Sequence, residues 1–245
     1  MGLQSLAPTA RAAKASSEST SQPEPAAGSV QQAYDGYAGS YDTLDGGAAA
    51  EVLGFPELRK QLIAQASGSV LEVGIGTGLN LPFYTTSGPT AVSQLTGVDL
   101  SSQMLGQAQQ RAQTLPGFSL TAGGSSPSLR LRQADVTSLP FPDASFDTVL
   151  DTFSLCVFTQ PAAALKEMAR VLRPSGRLLL LEHARSENAL LAAYQDVTAD
   201  TVAALGKGCV WNQDVARLCA EAGLRVTQQQ RHTAGTIIMI EAVRA

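Results

Sequence analysis

The sequence predicts an α/β fold: a seven-stranded, mostly parallel sheet with helices on both faces and an antiparallel C-terminal strand. Three observations predict it. Strand and helix signals alternate along the chain, which implies crossover helices between parallel strands. Leu178 to Leu181 form a run of four leucines, the mark of a strand buried on both faces. Leu224–Gln230 and Thr236–Val243 follow one another with no helical segment between them, so they pair antiparallel.

Met1 to Gly28 is rich in Ala, Ser, Thr, Gln and Pro with almost no large apolar side chains, a composition that cannot bury enough surface to fold. It reads as a disordered tail or a weak transit peptide, its Arg11 and Lys14 preceding the first acid, Glu18. Residues 29–245 form one domain. Tyr34, Tyr37 and Tyr41 are spaced by three and four, which places them on one helical face. Ala48 to Ala66 is a helical pattern, and Val70–Val73 the first strand. Gln94–Val98 is the second strand, and Ser101 or Ser102 caps the helix that follows. Pro116 to Ser128 is a Gly/Ser/Pro-rich surface loop. Leu131–Ala134 and Asp147–Asp151 are the third and fourth strands, and Pro161–Leu172 is a helix. Pro174-Ser175-Gly176 turns the chain into the leucine-rich strand Arg177–Glu182. Asp214–Ala222 is a helix stopped by Gly223.

The first strand ends in Glu72-Val73-Gly74-Ile75-Gly76-Thr77-Gly78. Three glycines at alternate positions let a ligand approach the backbone, because glycine has no Cβ and a free choice of φ. No Lys follows, so the loop is not a phosphate-binding P-loop. Gly78 comes one residue early for the dinucleotide fingerprint, where Leu79 stands instead. An ordinary strand-to-helix turn remains the plain alternative. Asp99 ends the second strand, placed to accept from both hydroxyls of a ribose; a turn or capping aspartate is the other reading. Asp135 ends the third strand beside Val136 and the apolar Leu139-Pro140-Phe141, which suits a purine edge.

Glu72 to Gly78, Val98-Asp99-Leu100 with Met104-Leu105, Ala134-Asp135-Val136 with Leu139-Pro140-Phe141, Phe146 to Val149, and Arg170 to Pro174 with Gly176 together resemble the ordered motifs of class I S-adenosylmethionine-dependent methyltransferases. The resemblance runs from about Tyr34 to the C-terminus. Ile75 to Tyr84, Leu155-Cys156, Glu182-His183 and Gly208-Cys209 are similar to the methyltransferase-like seven group, whose members are implicated in methylating small thiols. The resemblance implies a Rossmann-like fold and S-adenosylmethionine as cofactor. It implies that Gly74, Gly76 and Gly78 lie against the methionine part and ribose, that Glu72 fixes the loop, and that Asp99 holds the ribose diol. Leu100 and Met104 flank adenine, although Met104 reads equally as helix core. Asp135 and Val136 meet the adenine edge, and Thr77, Asn80, Thr152 and Tyr41 complete the cofactor contacts. Segment 34–42 is then a lid; the alternative is a helix that docks its tyrosines on the core.

Composition sets limits. Net charge is −4 with no long basic run, so nucleic acid is not the expected partner. No apolar run reaches membrane-span length. Three cysteines without C-x-x-C spacing argue for a reducing intracellular compartment, cytoplasm or organelle interior, and against a disulfide framework or a metal site. The candidate bases are His183 and Asp151, near strand ends that face the cofactor, with structural roles as the alternative. Cys156 reads as a pocket-wall residue, since no basic group is near it in sequence; Cys209 and Trp211 line the acceptor pocket or belong to the core. Three functions compete: methyl transfer to a small-molecule acceptor such as a thiol, a non-catalytic cofactor-binding scaffold or organellar assembly factor, and a nicotinamide oxidoreductase disfavoured by Leu79.

Overall fold

The computed structural model describes residues 27–44, 47–88, 91–120 and 127–245. The expectation for residues 1–28 lies outside them, apart from Ala27 and Gly28, where α1 (Ala27–Tyr37) begins. The same holds for residues 121–126 of the expected surface loop. That loop is closed at its base, where Ser119 N–H donates to the Pro127 carbonyl at 2.9 Å and Leu129 N–H to Ser119 at 2.8 Å.

Seven strands form one sheet: β1 (Gly68–Val73), β2 (Val92–Asp99), β3 (Ser128–Gln133), β4 (Phe146–Thr152), β5 (Leu172–His183), β6 (Leu224–His232) and β7 (Ile237–Arg244). Their order is β3-β2-β1-β4-β5-β7-β6. β7 inserts antiparallel between β5 and β6, and every other pairing is parallel. The four leucines of β5 are all fully buried. Leu178 and Leu180 enter one core with Leu165 and Met168 of α6 (Pro161–Val171) and Val215 of α8 (Val215–Glu221). Leu179 and Leu181 enter the other, with Leu58, Leu62 and Ile63 of α4 (Phe55–Ile63). Alternate side chains thus serve opposite faces, and over Leu178–Leu181 the strand needs no polar face.

Four elements differ from the sequence expectation. The helix over 48–66 is two helices, α3 (Ala48–Val52) and α4, because Gly54 takes φ +74° and Pro56 starts a new first turn. The turn at Pro174–Gly176 lies within β5 as an excursion: pairing jumps from Phe146 with Leu172 to Thr148 with Arg177. Tyr41 is not on the helix of Tyr34 and Tyr37. α1 ends at Tyr37, the chain turns through Gly39 and Ser40, and α2 (Tyr41–Leu44) starts afresh. Finally, α7 (Ala189–Leu205) has no counterpart in the sequence reading. Its Leu190, Val197 and Leu205 are exposed, so no apolar stripe marks it. Asn188 caps it by accepting from Leu190 and Leu191 N–H, both at 3.1 Å.

Strand order reverses between β1 and β4, whose carboxyl ends meet at Val73 and Asp151. Such a switch point leaves a crevice beyond the strand ends. α5 (Ser102–Thr114), capped by the Ser101 hydroxyl accepting from Met104 N–H at 3.1 Å, borders the crevice on the β2 side.

Candidate active site

β1 delivers the chain into Gly74 at φ +58° and Gly76 at φ +55°. A Cβ on Gly74 would fall 2.3 Å from Ser154 Oγ, so the loop needs a glycine to lie against the turn after β4. A Cβ on Gly76 would meet nothing nearer than the Gly74 carbonyl at 3.9 Å. That position borders open crevice, and its glycine answers to the positive φ and to whatever fills the space. Gly78 also has a positive φ, +79°, but its Cβ would strike Leu81 at 2.7 Å, so it packs the loop on the protein.

Asp99, at the end of β2, ties this loop to α5. Its Oδ2 accepts from Gly76 N–H and its Oδ1 from Ser101 N–H, both at 2.9 Å. Burial raises its pKa above the usual carboxylate range, against the lowering effect of these backbone donors. Each oxygen keeps acceptor capacity for a further donor. The crevice opens into a cavity of about 920 Å³, a volume that includes the open space at its mouth. Of the expected cofactor residues, Tyr41, Gly74, Gly76, Asp99, Leu100, Met104, Asp135, Val136 and Thr152 line it. Asp135 Oδ1 accepts from both the backbone and the hydroxyl of Thr137, at 2.8 and 2.7 Å. Val30, Gln31 and Tyr34 of α1 close one side, and Phe153, Val157 and Phe158 another.

Glu72, Thr77, Gly78 and Asn80 do not line the cavity. Glu72, Thr77 and Asn80 are buried beneath it. The Glu72 carboxylate accepts from Asn80 Nδ2 and from the Tyr84 hydroxyl, both at 2.7 Å. Burial pushes its pKa up to about 7, even against these two bonds and the nearby Arg59. Arg59 of α4 donates to Asn80 Oδ1 at 2.8 Å and to Thr152 Oγ1 at 2.5 Å. Its guanidinium lies 5.0 Å from the Phe153 ring centre, within cation–π reach. The sequence reading missed Arg59, although one signal was there. It lies on the apolar stripe of Phe55, Leu62 and Ile63, where an arginine must find partners.

The two candidate bases do not reach the cavity wall. Asp151 is fully buried, with Oδ1 accepting from the Ser154 hydroxyl. Asp151 Oδ2 and Glu182 Oε2 have no other hydrogen-bond donor. Both carboxyls are pushed upward by burial, and Glu182 further by the charge of Asp151 beside it. Burial thus disfavours a charge on either carboxyl, and two charges side by side most of all. His183 points instead at sulfur. Its Nδ1 lies 3.7 Å from Cys156 Sγ and 3.8 Å from Cys209 Sγ, and the two sulfurs are 3.3 Å apart. Cys156 is therefore not a pocket-wall residue remote from basic groups: Val157 and Phe158 take the wall, and the imidazole comes from a strand 27 residues away. Cys209 and Trp211 stay off the cavity wall as well. Val210 N–H donates to the Cys156 carbonyl at 2.8 Å, and Trp211 rests edge-on to Tyr194 at 6.0 Å.

Two acids fasten the N-terminal segment over the crevice. Asp35 Oδ1 accepts from the Ser101 hydroxyl at 2.5 Å, beside the start of α5. Asp42 accepts from the Thr77 hydroxyl at 2.6 Å and pairs with Arg111, whose Nε also donates to the Thr77 carbonyl at 2.9 Å. Tyr37 meets Tyr41 edge-on at 5.8 Å and carries Lys207 Nζ 3.4 Å from its ring centre. Neither acid was singled out in the sequence, because their partners lie far along the chain.

Comparison with known proteins agrees with this geometry. A family model described as a methyltransferase domain matches residues 71–180. A phosphatidylethanolamine N-methyltransferase of Cereibacter sphaeroides is 38% identical over 164 residues, 66% of this chain and 72% of that protein. A ubiquinone/menaquinone biosynthesis C-methyltransferase of Ectopseudomonas mendocina is 33% identical over 202 residues, 79% of this chain and 73% of the relative. Among solved structures, a geranyl diphosphate methyltransferase in complex with S-adenosylmethionine superposes with a TM-score of 0.61 at 15% identity. It covers 78% of this chain and 85% of that one. Among the described residues no helix is long and apolar enough to cross a membrane.

Proposed function

We propose a function on one established premise: the chain belongs to the class I S-adenosylmethionine-dependent methyltransferases. Its cofactor is S-adenosylmethionine, and the residues present fit that group. Asp99 offers two half-satisfied carboxylate oxygens, Gly76 leaves a gap that a side chain would fill, and Leu100, Met104 and Val136 give an apolar slot ending at Asp135. We infer that Asp99 accepts from the ribose hydroxyls and that Asp135 and Val136 meet the adenine. Glu72, Thr77, Gly78 and Asn80 act from beneath by holding the loop and Thr152. S-adenosylmethionine supplies an electrophilic methyl group on a sulfonium. The chain's own residues have to orient the acceptor in line with it and keep water out. Tyr34 and Tyr41 do so from the lid, and Phe153, Val157 and Phe158 from the opposite wall.

The acceptor we infer is a small thiol. The observation that carries it is the character of the wall. Among the described residues that line the cavity there is no His, Lys or Arg, and Asp151 and His183 lie behind it. An acceptor here must lose its proton without a dedicated base. A thiol of ordinary pKa is already ionised to about a few per cent at pH 7 and is a strong nucleophile as the thiolate. The likeness of Leu155-Cys156, Glu182-His183 and Gly208-Cys209 to the thiol-methylating group supports the same acceptor. The second reading is a lipid amine, favoured by the 38% identity to the phosphatidylethanolamine enzyme. The apolar residues of the wall suit either. The charge balance and the absence of a basic run favour a small molecule over nucleic acid, and three cysteines without C-x-x-C spacing suit a reducing compartment.

The test is transfer from methyl-labelled cofactor to a panel of alkyl thiols, aryl thiols, phenols and amines, with phosphatidylethanolamine vesicles among them. Label should enter thiols, at a rate that rises with pH toward the thiol's own pKa. Label in the amine with none in any thiol would establish the second reading instead.

A further inference from the structure

Cys156, His183 and Cys209 come from three separate elements: the turn after β4, the end of β5 and the loop after α7. Their donor atoms converge all the same. The triangle has sides of 3.3 Å between the sulfurs and 3.7 and 3.8 Å from each sulfur to Nδ1. A point equidistant from its corners lies about 2.1 Å from each, against about 2.0–2.1 Å for a Zn–N bond and about 2.3 Å for Zn–S. A cation seated slightly off the plane therefore lies within bonding distance of all three, and a small parting of the two sulfurs opens their angle toward the tetrahedral one.

The surroundings favour a cation as well. Cys156 is buried and Cys209 half-buried. Asp151 and Glu182, each fully buried with one oxygen lacking a hydrogen-bond donor, bear electrostatically on the thiols. The frame is rigid: Val210 N–H donates to the Cys156 carbonyl at 2.8 Å, and Cys209 N–H to Gly206 at 3.0 Å. Two sulfurs and an imidazole are a soft donor set that selects Zn²⁺ and similar ions over hard cations.

We propose that Cys156, His183 and Cys209 form a binding site for one Zn²⁺-like cation, with a fourth position left to water or an exogenous ligand. On binding, each thiol releases its proton to solvent and a sulfur lone pair forms the Zn–S bond; nothing is oxidised or reduced. The site stands apart from the methyl-transfer cavity but adjoins it. Phe153 lines that cavity and lies 5.3 Å from the His183 ring, and Lys207, two residues before Cys209, reaches the lid at Tyr37. Occupancy ties the β4 turn, β5 and the α7 loop together at one point.

The experiment is titration of the reduced full-length protein with Co²⁺, read by sulfur-to-cobalt charge-transfer absorption, followed by displacement with Zn²⁺. One Co²⁺ per chain is expected in the wild type and in Cys219→Ser, whose sulfur is buried in the core and is not one of the three converging donors. The charge-transfer band should vanish in Cys156→Ser and in Cys209→Ser. His183→Asn should weaken affinity at least tenfold. Sub-stoichiometric binding, or a band that persists in the Cys156→Ser/Cys209→Ser protein, overturns the site. Should the variants not fold, as judged by circular dichroism, the wild type decides: Zn²⁺ must slow alkylation of Cys209 at least tenfold, and an unchanged rate refutes the proposal.

Discussion

Replacing Asp99 with Ala probes the cofactor site at the point where the structure makes the sharpest demand. The carboxylate does two things. It accepts from Gly76 and Ser101 N–H, each at 2.9 Å, and it presents its remaining acceptor capacity to the cavity. Its effects on folding oppose one another, since burial disfavours the charge while the backbone donors favour it. Asp99→Ala should therefore shift the melting temperature little. Binding has no such compensation. Charge-assisted bonds contribute roughly 1.5–3 kcal/mol each, and two to a ribose diol, discounted for non-additivity, come to about 3 kcal/mol. That is about a hundredfold in Kd. Asp99→Asn keeps one acceptor oxygen but turns an amide toward a backbone N–H, and should cost about tenfold. Calorimetric titration of S-adenosylmethionine into each protein, with melting curves alongside, measures both quantities. A folded Asp99→Ala protein that binds within about threefold of wild type would falsify the diol assignment.

Gly76→Val should abolish cofactor binding while leaving most of the melting temperature intact: its Cβ enters open crevice rather than protein, and φ +55° strains only the loop. Asp42→Ala frees the lid from Thr77 and Arg111. A partly exposed ion pair adds only about 0–1 kcal/mol to folding, so turnover should drop severalfold with little change in melting; equal losses in both would mark the segment as plain core. Removing residues 1–26, which precede α1, should leave binding and turnover unchanged, a result that a cofactor titration and a rate assay report together. Glu72, held up to about 7, and Asp151, also raised, keep protons in the folded state that the unfolded chain releases near pH 4. Stability from these two groups is thus full below about pH 4 and is lost as pH rises to about 7. Urea midpoints across that window should fall for wild type and fall less for Asp151→Asn, whose amide can donate to Glu182. Asp151→Asn should also retain turnover, since Asp151 does not reach the cavity.

Most of the sheet was legible because its signals are local. The four leucines of β5, the β2 strand ending at Asp99 and the adjacent pair β6–β7 each declare themselves within about ten residues. Failures occurred where local signals conflict with packing. α7 carries apolar residues on its exposed face as well as its buried one, so no period betrays it. The three tyrosines keep helical spacing, but Gly39 and Ser40 end the helix between the second and third. Tyr34 and Tyr41 still both face the cavity, reached by a turn rather than along one helix.

The site divides in the same way. Residues that line the cavity were legible where a strand end places them, as at Asp99 and Asp135, because strand polarity alone puts every carboxyl end at one edge. The layer beneath was not. Glu72 depends on Tyr84 and Asn80, Asn80 on Arg59, and Arg59 on Thr152, 93 residues further on. A buried carboxylate can be spotted in a sequence as an acid inside an apolar strand, yet the donors that make it tolerable are chosen by tertiary approach. The same holds one layer further back. Asp151 and His183 sit at strand ends, which is why they resembled bases. The side chains that surround them decide otherwise: a carboxyl buried behind the wall cannot serve an acceptor it never meets, and an imidazole set against two sulfurs is oriented away from the cavity. Position along a strand shows that a residue is near the chemistry; its hydrogen-bond partners decide whether it takes part.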